Sequence, residues 1–352
     1  MSEAAEGRAA AAPEPLVSVI VPAFNAAEYL GAALDSLRAQ TVRDLEIIVI
    51  DDGSSDETAA VARSFAAEDP RIRVISHARP SGRPANARNA GLRVARGKYI
   101  ALLDADDTCI PTRMEKGVRA MELTRSRFVF TDVQRFYADT GTRAPDGTLA
   151  LAGFLANGAP YLEHVSDDVY LCSQSFGAFL LTYVAIVTST VMFARELLAT
   201  EQTWFDESLV CFEDLDLWMR WADHTRFAFV NEVQVIMRKH SASLTASQPL
   251  ETRMDGIAVR RKHLQRLAPA LSASEVEAAE RNISELQFHV AYAQWCAGRG
   301  RHARKWFLES WRSRATAAAA LGYVKAFVPR AGALELVASV RRGLSRNGGA
   351  QN

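Results

Sequence analysis

Residues 45–56 read LEIIVIDDGSSD, an apolar, β-branched run that ends in acidic and turn-forming residues. Such a run is typical of a strand that is buried on both faces of a parallel sheet. Similar runs stand at 17–21 (VSVIV) and 99–103 (YIALL), and apolar residues at helical spacing occupy 28–39 and 85–95 between them. This alternation predicts an α/β fold, a Rossmann-like, mostly parallel sheet flanked by helices.

The residues that follow these predicted strands are polar. Because ligands of such sheets bind at the carboxyl ends of the strands, these positions are the first candidates for a site. Clustered carboxylates repel one another unless a cation shares the site, which indicates a divalent metal, Mg²⁺ or Mn²⁺. The candidates are Asn25 after the first run, Asp51 and Asp52 after the second, and Asp104, Asp106 and Asp107 after the third.

A structural alternative exists for one of these groups. Gly53 and Ser54 favour a turn and Asp56 is a good helix N-cap, so local structure alone accounts for the stretch 51–56. The group 104–107 has no comparable capping role. Mg²⁺ usually takes one or two carboxylates together with substrate phosphates, and the group 104–107 suits that arrangement.

Four motifs together resemble the inverting glycosyltransferases of family 2, which have the GT-A fold. They are VSVIVPAFN (17–25), IDDGSSDET (50–58), ARNAGLRVARGKYIALLDADD (87–107) and FEDLDLWMRWA (212–222). They stand in the family's order and at its usual distances, and the resemblance covers roughly residues 16–245. It implies a metal-dependent transferase that uses a nucleotide-sugar donor, with a UDP-sugar as the expected donor.

The resemblance also implies site residues. Asp106 and Asp107 match metal ligands, Asp214 matches the catalytic base, and Glu213 stands beside that base. The nucleotide-sugar-binding residues that it implies are Pro22, Phe24, Asn25, Asp51, Asp52, Arg88, Asp104, Arg238 and His240. The loop 79–84 departs from the family's usual pattern, and no firm motif marks 133–190, where acceptor specificity is expected.

The chemistry requires these residue types independently of the family. A leaving diphosphate needs positive charge near it, and an acceptor hydroxyl needs a base that takes its proton. Asp214 also has a structural alternative, because acids in the first turn of a helix are favoured by the helix dipole. Trp218 and Trp221 are interpreted as core residues, and His77 as a structural or surface residue.

Composition and charge restrict the class of protein. The 352 residues are 49% hydrophobic and 23% charged, which excludes a mainly disordered chain, a collagen-like chain and a disulfide scaffold. The zero net charge argues against a nucleic-acid partner. The zero sum combines two parts of opposite net charge. Residues 1–250 carry 24 basic and 33 acidic side chains, and residues 251–352 carry 17 basic and 8 acidic ones.

The C-terminal region is rich in Ala, Arg, Leu and Glu, which predicts a helical extension. A turn is expected at Gly298–Gly300, as in the helical hairpins often appended to this family. Residues 299–352 carry eleven basic and two acidic side chains among aromatic and aliphatic ones. Two interpretations stay open: a basic amphipathic helix on an anionic membrane surface, and a helical cap on the catalytic domain.

The predicted domains are a flexible tail (1–14), a catalytic domain (15–250) and a helical region (251–352). The scattered cysteines and the absence of a signal peptide favour the cytoplasm, or a peripheral position at the inner face of the membrane. Residues 176–194 carry no charge, and we expect a buried helix followed by a buried strand rather than a membrane span.

The sequence therefore predicts a transferase that acts on a hydroxyl of a glycan or lipid-linked acceptor. The alternative is a GT-A module that binds a nucleotide sugar or a glycan without turning it over. Retention of both Asp106 and Asp214 favours the enzyme, because a module that had lost its activity would be expected to lack one of them.

Overall fold

The computed structural model describes residues 14–151, 153–183, 186–240, 243 and 247–327. The predicted N-terminal tail, apart from Glu14, and the sequence after residue 327 lie outside the described residues. The chain divides into two compact units. The first comprises Met1–Phe176, Ala185–Glu207 and Arg220–Lys239, and the second comprises Gly177–Val184, Ser208–Met219 and His240–Asn352. The boundary predicted at residue 250 therefore differs from the division between these units.

All described strands belong to the first unit, where they form one mixed sheet of eleven strands. They are β1 (Val17–Ala23), β2 (Leu45–Asp51), β3 (Ile72–Ser76), β4 (Tyr99–Leu102), β5 (Thr108–Cys109), β6 (Phe128–Tyr137), β7 (Thr142–Arg143), β8 (Leu162–Ser166), β9 (Val169–Cys172), β10 (Met192–Ala194) and β11 (Phe227–Lys239). Their order is β3-β2-β1-β4-β10-β6-β11-β9-β8, with β5 paired to β11 and β7 to β6.

The parallel part of the sheet follows the predicted pattern. Strands β3, β2, β1 and β4 are parallel neighbours, and every residue of β2 and β4 is buried. Burial on both faces explains why these strands read as continuous apolar runs. Strand β10 then enters antiparallel between β4 and β6, while β6 and β11 run parallel. The expected α/β fold is confirmed.

The helices of the first unit lie against this sheet or follow its strands. They are α1 (Ala27–Arg38), α2 (Thr58–Glu68), α3 (Pro84–Val94), α4 (Arg113–Thr124), α5 (Thr148–Leu151) and α6 (Phe154–Gly158), with short 3₁₀ helices at Ala159–Tyr161, Thr188–Thr190 and Arg195–Thr200. Helix α2 begins two residues later than predicted. The carboxylate of Asp56 accepts the N–H of Thr58 and also the N–H of Ala27 at the start of α1, so it links two helix starts.

In the uncharged stretch 176–194, the described residues, 176–183 and 186–194, form only short elements. A helix, α7 (Phe176–Leu180), stands at its start, and the buried strand β10 ends it, so the expected order of helix and strand is present in shortened form. None of the helices in the described ranges combines the length and the apolar composition needed to cross a membrane.

The second unit is helical, as the composition predicts. Helix α8 (Glu213–Trp221) begins in it, and its C-terminal part comprises α9 (Pro249–Leu267), α10 (Ala273–Cys296), α11 (Gly300–Ser313) and α12 (Ala317–Lys325), with a 3₁₀ turn at Ala268–Ala270. Ile257, Ile283 and Val290 pack together in one cluster, and Ala303 and Phe307 in another. Gly298 adopts φ 74° in the predicted turn between α10 and α11.

Candidate functional site

Hydrogen bonds link the C-terminal ends of β1 and β2 in the first unit. Ala23 of β1 is opposite Asp51 of β2, and the N–H of Asp52 donates to the Ala23 carbonyl at 2.8 Å. Asn25 has φ 47°, and its Oδ1 accepts the N–H of Ser55 at 2.9 Å. Asp51 accepts the N–H of Ser54 through Oδ1 at 3.1 Å. These bonds explain how the predicted residues of two separate motifs come to share one edge of the sheet.

Asp52 is buried beneath the loop 77–83. Its Oδ1 lies 2.7 Å from Nδ1 of His77, and its Oδ2 accepts the N–H and the hydroxyl of Ser81 at 3.0 and 2.7 Å. Gly53 allows the loop to pack closely, since a Cβ there would lie 2.6 Å from the carbonyl carbon of Arg79. His77, interpreted from the sequence as a structural or surface residue, makes a structural contact with Asp52. Its partner is 25 residues away in sequence, so no local pattern marks the contact.

Arg88 and Asp104, predicted from different motifs, form a close ion pair. Nη2 of Arg88 donates to Oδ1 of Asp104 at 2.7 Å, and the guanidinium lies 5.6 Å from the centre of the Phe205 ring. Arg88 is only 4% exposed, whereas the Asp104 side chain keeps a third of its surface accessible. Since a buried charge is retained only when it is well paired, this contact fixes Arg88.

The acidic side chains after β4 lie in two different environments. Asp107 is 3% exposed, and its Oδ1 accepts the N–H of Arg238 at 2.9 Å, which ties this loop to β11. Burial and the neighbouring Asp106 and Asp104 carboxylates raise the pKa of Asp107 well above its ordinary value. Asp104 and Asp106 are half-buried. Asp106 is therefore the more accessible of the two predicted metal ligands.

The guanidinium of Arg238 is enclosed by two aromatic rings. Its Cζ lies 5.1 Å from the centre of the Tyr29 ring and 5.1 Å from the centre of the Phe136 ring, and its Nε donates to the backbone carbonyl of Asp106 at 3.3 Å. Sequence reasoning selected Arg238 but missed both aromatic residues. Cation–π contacts of this kind hold a guanidinium in place, and its positive charge is not neutralised by a carboxylate.

The remaining nucleotide-site residues of the first unit lie at the same edge. Pro22 is half-buried near the end of β1, and the Phe24 side chain is 50% exposed, which is unusual for a phenylalanine. An exposed aromatic ring beside buried carboxylates offers an apolar face on which a planar ring can stack. Phe24 thus fits the role predicted for it, which stays a prediction.

The carboxylates fit a divalent metal in one respect. Burial and the negative charge of three acids within four residues raise the pKa of Asp107, and a bound cation would offset that charge. In the described ranges, no group of three or more His, Cys, Asp or Glu side chains is arranged to hold a metal ion. Mg²⁺ usually needs only one or two carboxylates when substrate phosphates complete its shell, so Asp106 with Asp107 remains a chemically suitable pair.

The predicted catalytic residues belong to the second unit. Glu213 and Asp214 open α8, where Glu213 is buried and Asp214 is half-buried, and Oδ1 of Asp214 accepts the N–H of Leu215 at 2.6 Å. Phe212, directly before them, has φ 65°. His240, the first residue of the last segment of this unit, is half-buried. The proposed roles of Glu213, Asp214 and His240 stay predictions.

The sequence matches one family model. Residues 18–176 match Glycosyl transferase family 2. Among similar proteins, "Uncharacterized glycosyltransferase EpsJ" of Bacillus subtilis is 45% identical over 93 residues, which cover 26% of this chain and 26% of that relative. The match therefore spans about a quarter of the relative's length.

Two solved structures share the fold. The S. aureus TarS fragment 1–349 in complex with UDP-GlcNAc has a TM-score of 0.56 at 15% identity, covering 88% of this chain and 90% of that one. The mannosyltransferase PcManGT from Pyrobaculum calidifontis, in complex with GDP-Man and Mn²⁺, has a TM-score of 0.54 at 17% identity, covering 88% and 79%. The predicted GT-A fold is confirmed. Residues 18–176, which contain three of the four motifs apart from Val17, match glycosyl transferase family 2.

Proposed function

We propose that the protein is a metal-dependent, inverting glycosyltransferase. It would move a sugar from a nucleotide sugar, with a UDP-sugar as the first choice, to a hydroxyl of a glycan or lipid-linked acceptor. The observation that carries the proposal is the Arg88–Asp104 pair, which stands at a sheet edge shared with Asp52 and Asp106. TarS, a neighbour in fold, binds UDP-GlcNAc, which supports a uridine donor.

The donor would bind along the tips of β1, β2 and β4. Asp52 is held rigidly by His77 and Ser81, so it presents fixed acceptors near the place where a base would lie. Arg88 carries a buried positive charge, and the exposed carboxylate surface of Asp104 is available to ribose hydroxyls. A preorganised set of polar groups of this kind lowers the cost of ordering a ligand.

The diphosphate would lie next to Arg238 and Asp106. The Arg238 guanidinium is fixed by Tyr29 and Phe136 and can stabilise negative charge as it develops on the leaving group. Asp106, together with Asp107, would hold Mg²⁺ or Mn²⁺, which would supply Lewis-acid stabilisation of the diphosphate oxygens when bound. The fold neighbour PcManGT was solved with Mn²⁺, in support of a divalent cation.

Asp214 would act as the general base. As the acceptor oxygen bonds to the anomeric carbon, its proton passes to the Asp214 carboxylate, and the bond from that carbon to the diphosphate oxygen breaks. Attack from the face opposite the leaving group inverts the anomeric centre in one step, so no covalent nucleophile is needed. General-base catalysis typically contributes about 10²–10⁴-fold in rate.

A donor panel tests this proposal. UDP-GlcNAc, UDP-glucose, UDP-galactose and GDP-mannose are each incubated with the full chain and Mn²⁺, and release of nucleoside diphosphate is measured with and without EDTA. We expect release from one UDP-sugar, its loss on chelation, and a fall of about 10²-fold or more in Asp214→Asn with the affinity for UDP unchanged. Binding of a nucleotide sugar without release under any condition would instead favour the non-catalytic module.

A lipid-linked acceptor would place the protein at an anionic membrane surface. Helix α12 and the two residues after it expose three apolar side chains, Leu321, Val324 and Phe327, which are 54–63% accessible. The Arg304 guanidinium lies 4.3 Å from the centre of the Phe327 ring, so a positive charge borders this apolar surface. Apolar side chains next to basic ones are the combination that binds anionic interfaces.

A further inference from the structure

Phe212 has a backbone conformation that bulky residues rarely adopt. It is one of three residues other than glycine with positive φ in the described ranges, the others being Asn25 and Arg125, and it immediately precedes Glu213 and Asp214. An aromatic residue keeps a left-handed backbone conformation only when its surroundings hold it there, and such conformations cluster at functional sites. Its carbonyl accepts the N–H of Asp216 at 3.0 Å, so it also sets the first turn of α8.

The surroundings that hold Phe212 come from α9. Oδ2 of Asp255 accepts the N–H of Val210 at 2.8 Å and that of Cys211 at 3.2 Å. Both bonds fix the backbone directly before Phe212. Gly256 and Arg260 are four residues apart and therefore lie on the same face of α9, and Asp255 directly precedes Gly256.

The ring of Phe212 packs on that same face. Arg260, which is 3% exposed, has its guanidinium 5.2 Å from the ring centre. Gly256 leaves room for the ring, because a Cβ at this position would lie 2.9 Å from Cε2 of Phe212. The absence of a side chain at Gly256 is therefore required by the position of Phe212 and not by a turn, since this glycine lies inside a helix.

We propose that α9 is a positioning element for the catalytic base. Through Asp255, Gly256 and Arg260 it holds Val210–Phe212 in the conformation that orients Asp214 at the start of α8. This inference rests on the proposed function, because it assumes that Asp214 is the base. The three α9 residues act through the 210–212 segment, so they are positioning residues and not catalytic ones.

Gly256→Ala tests the inference with a single methyl group. Alanine favours the helix over glycine by about 1 kcal/mol, which offsets much of the cost of moving the ring, so the thermal midpoint of unfolding is expected to change little. The added Cβ must displace the Phe212 ring, and we expect turnover to fall roughly tenfold or more, since small displacements of catalytic groups are costly. The affinity for UDP with Mn²⁺, measured by calorimetry, should stay unchanged. Gly31→Ala in α1 is the matched control, because its Cβ would lie 3.7 Å from Phe65, an ordinary contact.

A second pair of variants, at Asp255, tests the same inference without adding a methyl group. Asp255→Ala removes the acceptor for two backbone N–H groups and should lower turnover to a similar degree, whereas Asp255→Asn keeps an acceptor oxygen and should restore most of it. Turnover within about twofold of the parent in both Gly256→Ala and Asp255→Ala would overturn the inference, and so would a parallel loss of UDP affinity and thermal stability.

The turnover of Asp214→Asn distinguishes a failure of this inference from a failure of the proposed function. If Asp214→Asn keeps full turnover, Asp214 is not the base and both fail. If Asp214→Asn loses turnover while the α9 variants keep it, only the positioning role fails.

Discussion

The imidazole of His263 lies against the carboxylate of Asp216, with Nε2 2.9 Å from Oδ1 and both side chains almost fully buried. Arg266 donates to Nδ1 of the same ring at 3.2 Å, so Nδ1 has no proton and Nε2 must be the donor to Asp216. The imidazole is therefore neutral. Lys262 completes the site with an ion pair to Asp216 at 2.7 Å. These contacts indicate that Asp216 has a structural role in α8.

This arrangement predicts loss of stability in acid. Burial lowers the pKa of His263 below its ordinary value, in spite of the attraction of Asp216. Burial alone would raise the pKa of Asp216, but hydrogen bonds from His263 and Lys262 outweigh it and hold the pKa below its ordinary value. A depressed pKa contributes stability that is complete above the unfolded-state value and is lost as the pH falls.

The stability from His263 should therefore decline below about pH 6.5, and that from Asp216 below about pH 4. Urea unfolding at pH 7.5, 6.5 and 5.5 checks the first window. We expect the parent to lose stability over it and His263→Gln to show a flatter dependence. His289→Gln, at an exposed position of α10, is the control and should keep the parental slope. Parallel slopes for all three proteins would contradict the role of His263.

Gly53→Ala should damage nucleotide binding and stability together. Gly53 has φ 70°, and a Cβ there would lie 2.6 Å from backbone atoms of Arg79 and Pro80, so both the conformation and the space exclude alanine. A left-handed conformation costs an alanine roughly 1–2 kcal/mol, and the clash adds to it. Gly141→Ala is the control, because Gly141 has φ 65° with nothing near its Cβ. A larger loss of UDP affinity in Gly53→Ala than in Gly141→Ala is the expected result, and equal affinities would argue against the role of this loop.

The Arg88–Asp104 pair should show strong coupling in a double-mutant cycle. Removal of either partner leaves the other charge without its ion-pair partner, so Arg88→Met and Asp104→Asn should each weaken UDP binding. The double variant should be less impaired than the sum of both, with a coupling of about 0.5–3 kcal/mol. Titration of UDP in the presence of Mn²⁺ measures all four proteins. Strict additivity would show that the two residues act separately.

Much of the first unit could be predicted because buried parallel strands have a strong sequence pattern. Strands β1, β2 and β4 appear as apolar runs, and the polar residues after them mark the edge where Asp52, Asp104 and Asp106 lie. The antiparallel insertion of β10 could not be predicted, since three buried residues carry no periodicity. Trp218 and Trp221 are fully buried, as expected for core residues.

Contacts between residues distant in sequence set the limit of such prediction. The partners of Asp216 are 46 and 47 residues away, on a helix that the composition predicts without indicating which face it buries. Likewise, the aromatic enclosure of Arg238 brings together Tyr29 on α1 and Phe136 on β6. No local spacing encodes either group, because each exists only after the elements have packed.

Asp106 and Asp107 should respond differently to substitution. Asp107→Ala removes the acceptor of a buried N–H and should cost about 1–3 kcal/mol of unfolding free energy, along with the response to Mn²⁺. Asp106→Ala should abolish the response to Mn²⁺ while it changes stability by less than about 0.5 kcal/mol, because the side chain is half-buried. Urea unfolding and nucleotide release with increasing Mn²⁺ distinguish the two. A normal Mn²⁺ response in Asp106→Ala would remove it as a ligand.

Membrane adsorption should depend on the exposed apolar side chains at α12. We expect the full chain to bind vesicles of phosphatidylserine and phosphatidylcholine more tightly than phosphatidylcholine alone, because each basic residue near an anionic surface contributes about 1 kcal/mol. Combined Leu321→Ser, Val324→Ser and Phe327→Ser substitutions remove apolar area that inserts at the interface and should weaken binding to the anionic vesicles about tenfold or more.

The control for this experiment replaces exposed hydrophobic residues elsewhere. Leu123, Tyr137 and Val165 of the first unit are 36–48% accessible, and their combined replacement by serine should leave vesicle binding unchanged. Co-sedimentation at low and high salt separates the two contributions, since salt screens the basic residues but not the apolar contact. If the α12 variant and the control bind alike, the apolar side chains at α12 do not contact the membrane, and a lipid-linked acceptor loses its main structural support.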